Sequence, residues 1–180
     1  SARLINLIGL REAAEAFVGK SLLEDEAALK FAEEIAKYVV DFAGRAGKRR
    51  GKRLLSAAVP DAEASERLAQ LDVERYCIAK VRFSGTREKP FSSTVNRIAL
   101  KEGKLPQEAL AANQKLRDAF VGGNLAVVEL GESEYKPEEL LAITKQLVEN
   151  DVEFFVYARK LTYCTNCKRS WFGLLHKCPS

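Results

Sequence analysis

The residues best suited to chemistry gather near the C-terminal end: Cys164-Thr-Asn-Cys167, then Trp171, Gly173, His176 and Cys178. A Cys-x-x-Cys pair presents two thiolates from one turn. A third cysteine after a short segment adds another soft donor, which is the pattern of a zinc knuckle closed into a small ribbon. Structural zinc takes four ligands. Two sets stay open: a fourth cysteine beyond Ser180, completing a second Cys-x-x-Cys that begins at Cys178, or neutral His176 in a Cys-Cys-His-Cys set. His176 and Cys178 are two residues apart, which is cramped for two ligands on one turn. A redox dithiol, or thiols with no common task, is the alternative to a metal.

A second group is rich in hydroxyls. Phe91-Ser92-Ser93-Thr94-Val95-Asn96 carries three in succession, and a concave loop of this kind collects phosphate oxygens with its hydroxyls and amides. Such runs are also ordinary turns. The most basic stretch, Gly44 to Arg53, holds Lys48, Arg49, Arg50, Lys52 and Arg53 among three glycines, so an exposed loop is expected. It would attract a phosphate or an RNA backbone, but it has no aromatic side chain for base stacking, and a solvated connector is the plainer reading.

The 180 residues suffice for one domain, or one domain with an appendage, and 47% hydrophobic residues can fill a core. The 29 Lys and Arg are nearly balanced by 25 Asp and Glu, leaving +4, so the charge is no nucleic-acid signature by itself. Three of the four cysteines cluster and Cys77 stands alone, which favours a metal in a reducing compartment over a disulfide framework. With no signal-peptide pattern and no membrane-spanning apolar run, a cytoplasmic location is expected.

The elements that must position these groups alternate in type. Leu4 to Leu10 is a short apolar run, either a strand or the approach to a helix; Arg11 to Val18 reads as a helix stopped by Gly19. From Asp25 to Phe42, Ala28, Leu29, Phe31, Ala32, Ile35, Ala36 and Val39 recur at three- and four-residue steps, giving an amphipathic helix. Leu54 to Val59 reads as a strand, and Asp61 to Leu71 as a helix with Asp61 as N-cap. Val73 to Phe83 is expected to be a strand with Cys77 as a core thiol. Leu105 to Phe120 is a helix stopped at Gly122-Gly123. A strand from Asn124 to Leu130, a helix from Pro137 to about Asn150, and a strand from Val152 to Tyr157 make a βαβ unit, so the fold class is α/β.

Several segments fall into one order. Ile8-Gly9-Leu10-Arg11-Glu12-Ala13, Glu24 to Ala32, Pro60 with Glu63-Ala64-Ser65 and Arg67-Leu68-Ala69, Phe91 to Asn96, Gly122-Gly123 before a strand, Pro137-Glu138, and a strand leading into Cys164-x-x-Cys167 resemble successive segments of the catalytic subunit of the anaerobic, class III ribonucleoside-triphosphate reductases. The resemblance implies residues 1–160 as a later portion of a glycyl-radical-enzyme α/β barrel and 161–180 as an incomplete zinc-ribbon-like segment. It implies Ser92, Ser93 and Thr94 near the substrate phosphates, and zinc on Cys164, Cys167 and Cys178 with His176 or a further cysteine.

The same resemblance implies radical reduction of ribonucleotides to deoxyribonucleotides, with a ribonucleoside triphosphate as substrate, an activating radical-SAM protein as partner, and a homodimer. The thiyl-forming finger-loop cysteine would precede Ser1 and the radical glycine would follow Ser180, so the 180 residues alone are expected to be inactive, with no catalytic residue among them. Cys77 does not match the finger loop, nor Gly173 the radical motif. The hydroxyl loop also continues into Asn96-Arg97-Ile98 rather than into the family's proline. The alternative function is a stand-alone zinc-ribbon protein holding RNA or a protein partner through Lys48 to Arg53 and Trp171.

Overall fold

A computed structural model describes residues 2–94, 96–173 and 175–179, so Val95 of the hydroxyl run, together with Ser1, Leu174 and Ser180, lies outside the described residues. Strand β1 (Ala2–Asn6) pairs in parallel with β2 (Arg53–Ala57), and helices α1 (Leu10–Val18) and α2 (Glu26–Arg49) form the connection between them. Gly9 and Gly19 bracket α1 with φ of 81° and 79°, a left-handed conformation open to glycine at little cost. The Asp25 carboxylate caps α2 by accepting the Ala27 and Ala28 amides.

Two expectations fail in this half. The basic stretch from Gly44 is not a loop: α2 runs through Gly44 and Gly47 to Arg49, placing Lys48 and Arg49 in its last turn. The reason is packing. Ala43 and Gly47 are buried, and Gly47 lies so close to the start of β2 that a Cβ there would meet Lys52 O at 2.5 Å. The glycine that argues against a helix in isolation lets this helix approach the strand. Likewise Val73 to Tyr76 is the end of helix α3 (Ala62–Tyr76), not the start of a strand. Cys77 terminates that helix at a φ of 71° and is exposed, so it is no core thiol. The apolar residues at 73 and 76 are one helical turn apart, and a three-residue step is as good a signal for a helix end as for a strand.

After α3 come two short strands, β3 (Ser84–Gly85) and β4 (Pro90–Phe91), paired antiparallel. A three-stranded parallel sheet follows, in the order β5 (Arg97–Ala99), β6 (Leu125–Glu129), β7 (Phe154–Ala158), with α4 (Gln107–Arg117) and α5 (Pro137–Glu149) as crossovers. The β6-α5-β7 unit is the expected one. Strand β5 was not foreseen inside the hydroxyl-rich stretch. An antiparallel hairpin, β8 (Leu161–Tyr163) with β9 (Ser170–Phe172), ends the chain.

The fold is thus α/β, with strands in sheets of two, two, three and two that do not close into a barrel among the described residues. The two parallel sheets meet where Ala58 bridges Asn124. There the Gly122 N–H donates to Ser56 O at 2.7 Å, an approach that a Cβ on Gly122 would block. One core joins α1, α2 and α4 through Leu10, Ala14, Leu29, Ala32, Ala36 and Leu116. A second joins the three-stranded sheet to α4 and α5 through Ile98, Leu110, Ala126, Val128, Ile143 and Leu147, and Leu23 packs against both. Alternation along the strands leaves Arg97, Val127 and Glu129 on the opposite face.

The two glycines of α2 give a paired expectation for thermal or urea unfolding. Gly44→Ala has open space around its Cβ and stabilises by about 1 kcal/mol through helix propensity. Gly47→Ala pushes β2 away and destabilises by about 1–3 kcal/mol despite the same propensity gain. Equal stabilisation by both would refute the close approach.

Candidate functional site

The hydroxyl loop is held by three separate elements. Gly9 N–H, at the start of α1, donates to Ser93 O at 2.9 Å, and Ser92 N–H donates to Ser65 O of α3 at 3.0 Å. The third anchor is the buried carboxylate of Glu12. Its Oε1 accepts the Ser93 N–H at 2.9 Å, the Ser93 hydroxyl at 2.7 Å and the Ser84 hydroxyl at 2.8 Å. Three bonds to one oxygen pull together α1, β3 and the loop after β4.

This arrangement sorts the three hydroxyl residues. Both Ser93 donors are spent on Glu12. Ser92 and Thr94 are 7% and 4% exposed, yet no hydrogen bond of their hydroxyls to any described residue is found. They line a cavity of about 240 Å³ together with Pro60, Asp61, Ala62, Ser65 and Arg97. The first turn of α3 opens onto the same space, and the free amides and dipole at a helix N-terminus favour an anion. The Asp61 carboxylate works against that in part, but it accepts the Ala64 amide as N-cap; Glu66 at the rim is exposed.

Arg97 closes the other side. Its Nη2 pairs with Glu129 on the neighbouring strand, and its guanidinium sits 4.8 Å from the centre of the Phe91 ring. Burial first, and then the charge of Arg11, push its pKa below the usual range, while Glu12 opposes them. Sequence reasoning missed Glu12 and Arg97. The available signal for Arg97 was a cation directly after the hydroxyl run; for Glu12 there was none, because its partners lie 72 and 81 residues away.

The terminal hairpin builds the other site. Cys164 N–H donates to Arg169 O at 3.0 Å and Lys168 N–H to Cys164 O at 2.9 Å, with Lys168 at a φ of 60°. This tight turn brings Cys164 and Cys167 to one side. Thr162 Oγ1 donates to Gly173 O at 2.7 Å and accepts from Leu175 N–H at 2.8 Å, turning the chain back so that Cys178 arrives. The three sulfur atoms lie within 4.8 Å of one another, with Cys167 and Cys178 at 3.6 Å.

Tetrahedral zinc with bonds of about 2.3 Å sets its sulfurs about 3.8 Å apart, so the donor set fits the ion. His176 is exposed and outside this group. Cys77, at the end of α3, is not part of it either.

A family model described as anaerobic ribonucleoside-triphosphate reductase matches residues 3–180. A solved structure described as an anaerobic ribonucleotide reductase superposes with a TM-score of 0.66 at 19% identity, covering 99% of this chain and 27% of its own. Two structures of the anaerobic ribonucleotide reductase from Thermotoga maritima, one with glycerol in the active site and one with dATP bound in the specificity site, each give 0.65 at 18% identity. They cover 99% of this chain and 28% and 29% of their own. At such identities the likeness is one of fold, and the chain spans less than a third of each structure. No curated protein matches it.

The Glu12 anchor has a measurable weight. Glu12→Ala strands the Ser93 and Ser84 donors and lowers unfolding stability by about 3 kcal/mol, whereas Glu12→Gln keeps an acceptor oxygen and costs less than half of that. Equal losses, read by urea denaturation, would show that the anchor depends on charge alone.

Proposed function

The chain belongs to the anaerobic ribonucleoside-triphosphate reductase family, and from this we propose that it forms the substrate-phosphate wall and the zinc-held terminal segment of an enzyme that reduces ribonucleotides to deoxyribonucleotides. The observation that carries this reading is that Ser92 and Thr94, two largely buried hydroxyl residues, line a cavity at the start of α3. Hydroxyls and helix-start amides that line one cavity are suited to donating to a phosphate oxygen. Ser93 serves the same phosphate at one remove, since its bonds to Glu12 fix the loop that carries its neighbours.

In this reading the chain's own residues bind and orient. Ser92 and Thr94 donate to the phosphate, the first amides of α3 face it, and Arg97 supplies positive charge. The radical chemistry is supplied by the family's glycyl radical and finger-loop thiol, and we assign no catalytic residue within the 180. Residues 1–160 are taken as a portion of the family's barrel and 161–180 as its zinc ribbon. The exposed apolar side chains Phe154 and Val156, on the sheet face away from the core, support further strands packing there. The activating radical-SAM protein and a second copy of the enzyme are the partners this assignment brings.

Zinc would be held by Cys164, Cys167 and Cys178, completed by His176 or by a cysteine following Ser180. It would act as a structural cross-link, joining the turn after β8 to the segment after β9.

Three measurements follow. Titration with orthophosphate shifts the amide NMR signals of the loop around Ser92 and of the first turn of α3, and the Ser92→Ala, Thr94→Val pair abolishes the shifts; an unperturbed loop would refute the phosphate wall. Metal analysis finds about one zinc per chain, lost in Cys164→Ser. Retention of full metal in His176→Ala would then exclude the histidine. The 180 residues alone give neither a radical signal nor deoxyribonucleotide after treatment with the activating protein, and turnover by them would overturn the assignment of catalysis elsewhere.

A further inference from the structure

Read as a loop, the basic stretch from Gly44 to Arg53 has no ring on which a base could stack. As the end of a helix it gains two. Helix α2 runs without a break from Glu26 to Arg49, and along it Tyr38, Phe42, Arg45 and Arg49 follow at steps of four, three and four residues. At 3.6 residues per turn these positions fall within about 60° of one another around the axis. Two rings and two guanidinium groups therefore share one face. Tyr38 is 65% and Phe42 56% exposed, with ring centres 6.4 Å apart and planes 19° from parallel; Arg45 and Arg49 are exposed beyond them.

The charge is equally one-sided. Arg45, Lys48, Arg49, Arg50, Lys52 and Arg53 are all exposed, and between Tyr38 and Arg53 the sole acidic residue is Asp41. None of the six cations joins an ion pair among the described residues. The carbonyl end of α2 carries about half a negative charge, which one or two of them balance. The others repel one another. Arg45 and Arg49, four apart on one face, are a like-charge pair that weakens a helix by itself, and a polyanion laid along the face offsets that repulsion.

We infer that the outward face of α2 holds a single-stranded nucleic acid, with Tyr38 and Phe42 stacking on its bases and Arg45, Arg49 and the cations after them on its phosphates. The rings decide against a duplex, whose bases are already stacked on one another. A lipid surface fits less well: a membrane that buried the two rings would draw in Arg45 and Arg49 from the same side, whereas a surface-lying helix keeps its cations on the face opposite its rings. The contacts are to bases and phosphates, which DNA and RNA share, so a strand of either is held. None of these residues lines the hydroxyl cavity or belongs to the cysteine cluster, and the inference does not rest on the phosphate reading of Ser92 and Thr94.

The test is fluorescence anisotropy of labelled oligothymidylate and oligouridylate titrated with the full chain over a series of salt concentrations, beside a duplex of the same length and phosphatidylserine vesicles. Both single strands are expected to bind at low salt and more tightly than the duplex, with a logarithmic salt slope of about 0.7 per phosphate contacted. The pair Arg45→Gln and Arg49→Gln lowers that slope by about 1.4. The pair Tyr38→Ala and Phe42→Ala weakens binding at least about tenfold and leaves the slope unchanged, while Tyr38→Phe, which keeps the ring, stays within about twofold of the parent. All four side chains are exposed, so an unchanged thermal melt is expected to accompany each variant. No binding at low salt, binding that neither pair of substitutions alters, a duplex held as tightly as the single strands, or capture by the vesicles alone overturns the inference.

Discussion

The Glu12 carboxylate is the contact on which the candidate site depends. One buried oxygen accepts three donors from two segments remote in sequence, and the loop that carries Ser92 and Thr94 has no regular structure of its own to hold it. A surface loop would satisfy its amides with water and move. This loop is roofed by α1 and α3, so each backbone group needs a protein partner. Glu12, Gly9 and Ser65 supply partners for the Ser93 N–H, the Ser93 carbonyl and the Ser92 N–H in turn. The two hydroxyls left over are thereby presented, not merely present.

That anchor in turn requires α1 and α3 to sit at fixed distances from the strands, and small residues achieve this. The buried face of α2 is largely Ala28, Ala32, Ala36, Ala43 and Gly47, so the helix packs backbone-close against β2 and α1. At Gly122 the chain again passes within hydrogen-bond reach of β2. Close approach trades side-chain area for rigidity: fewer rotamers must be ordered, and the elements have less room to slide. The site inherits that rigidity, because Gly9, Glu12 and Ser65 all project from helices seated on this framework.

Much of this was legible in the sequence where local chemistry decides conformation. The Asp61 cap, the Gly19 stop and the β6-α5-β7 unit follow from side chains acting within a few residues. What was not legible is settled by contacts across the chain. Gly44 and Gly47 look like breakers until β2 is placed against them. Val73 and Tyr76 fit a strand until α3 is seen to have the room to continue, which leaves Cys77 at an exposed helix end. Strand β5 hides because Arg97 is a poor strand residue by composition, and only its register beside β6 and its pairing with Glu129 make sense of it. The Cys-x-x-Cys motif was the opposite case: tight turns with thiolates are local, and the three sulfurs converge as the spacing requires.

The ribbon shows how far local chemistry reaches and where it stops. The Cys164 turn is made by two backbone bonds and would form by itself, but Cys178 is brought in by Thr162, whose hydroxyl both donates to Gly173 and accepts from Leu175. A hydroxyl with both roles filled is a stiff joint. Gly173 suits that joint because its φ of 87° is one that residues with a side chain rarely adopt. The Arg159 guanidinium, 3.9 Å from the centre of the Phe172 ring, ties the hairpin to the end of β7. Contacts of the protein itself thus set three thiol donors within 4.8 Å of one another, three of the four that a structural zinc takes.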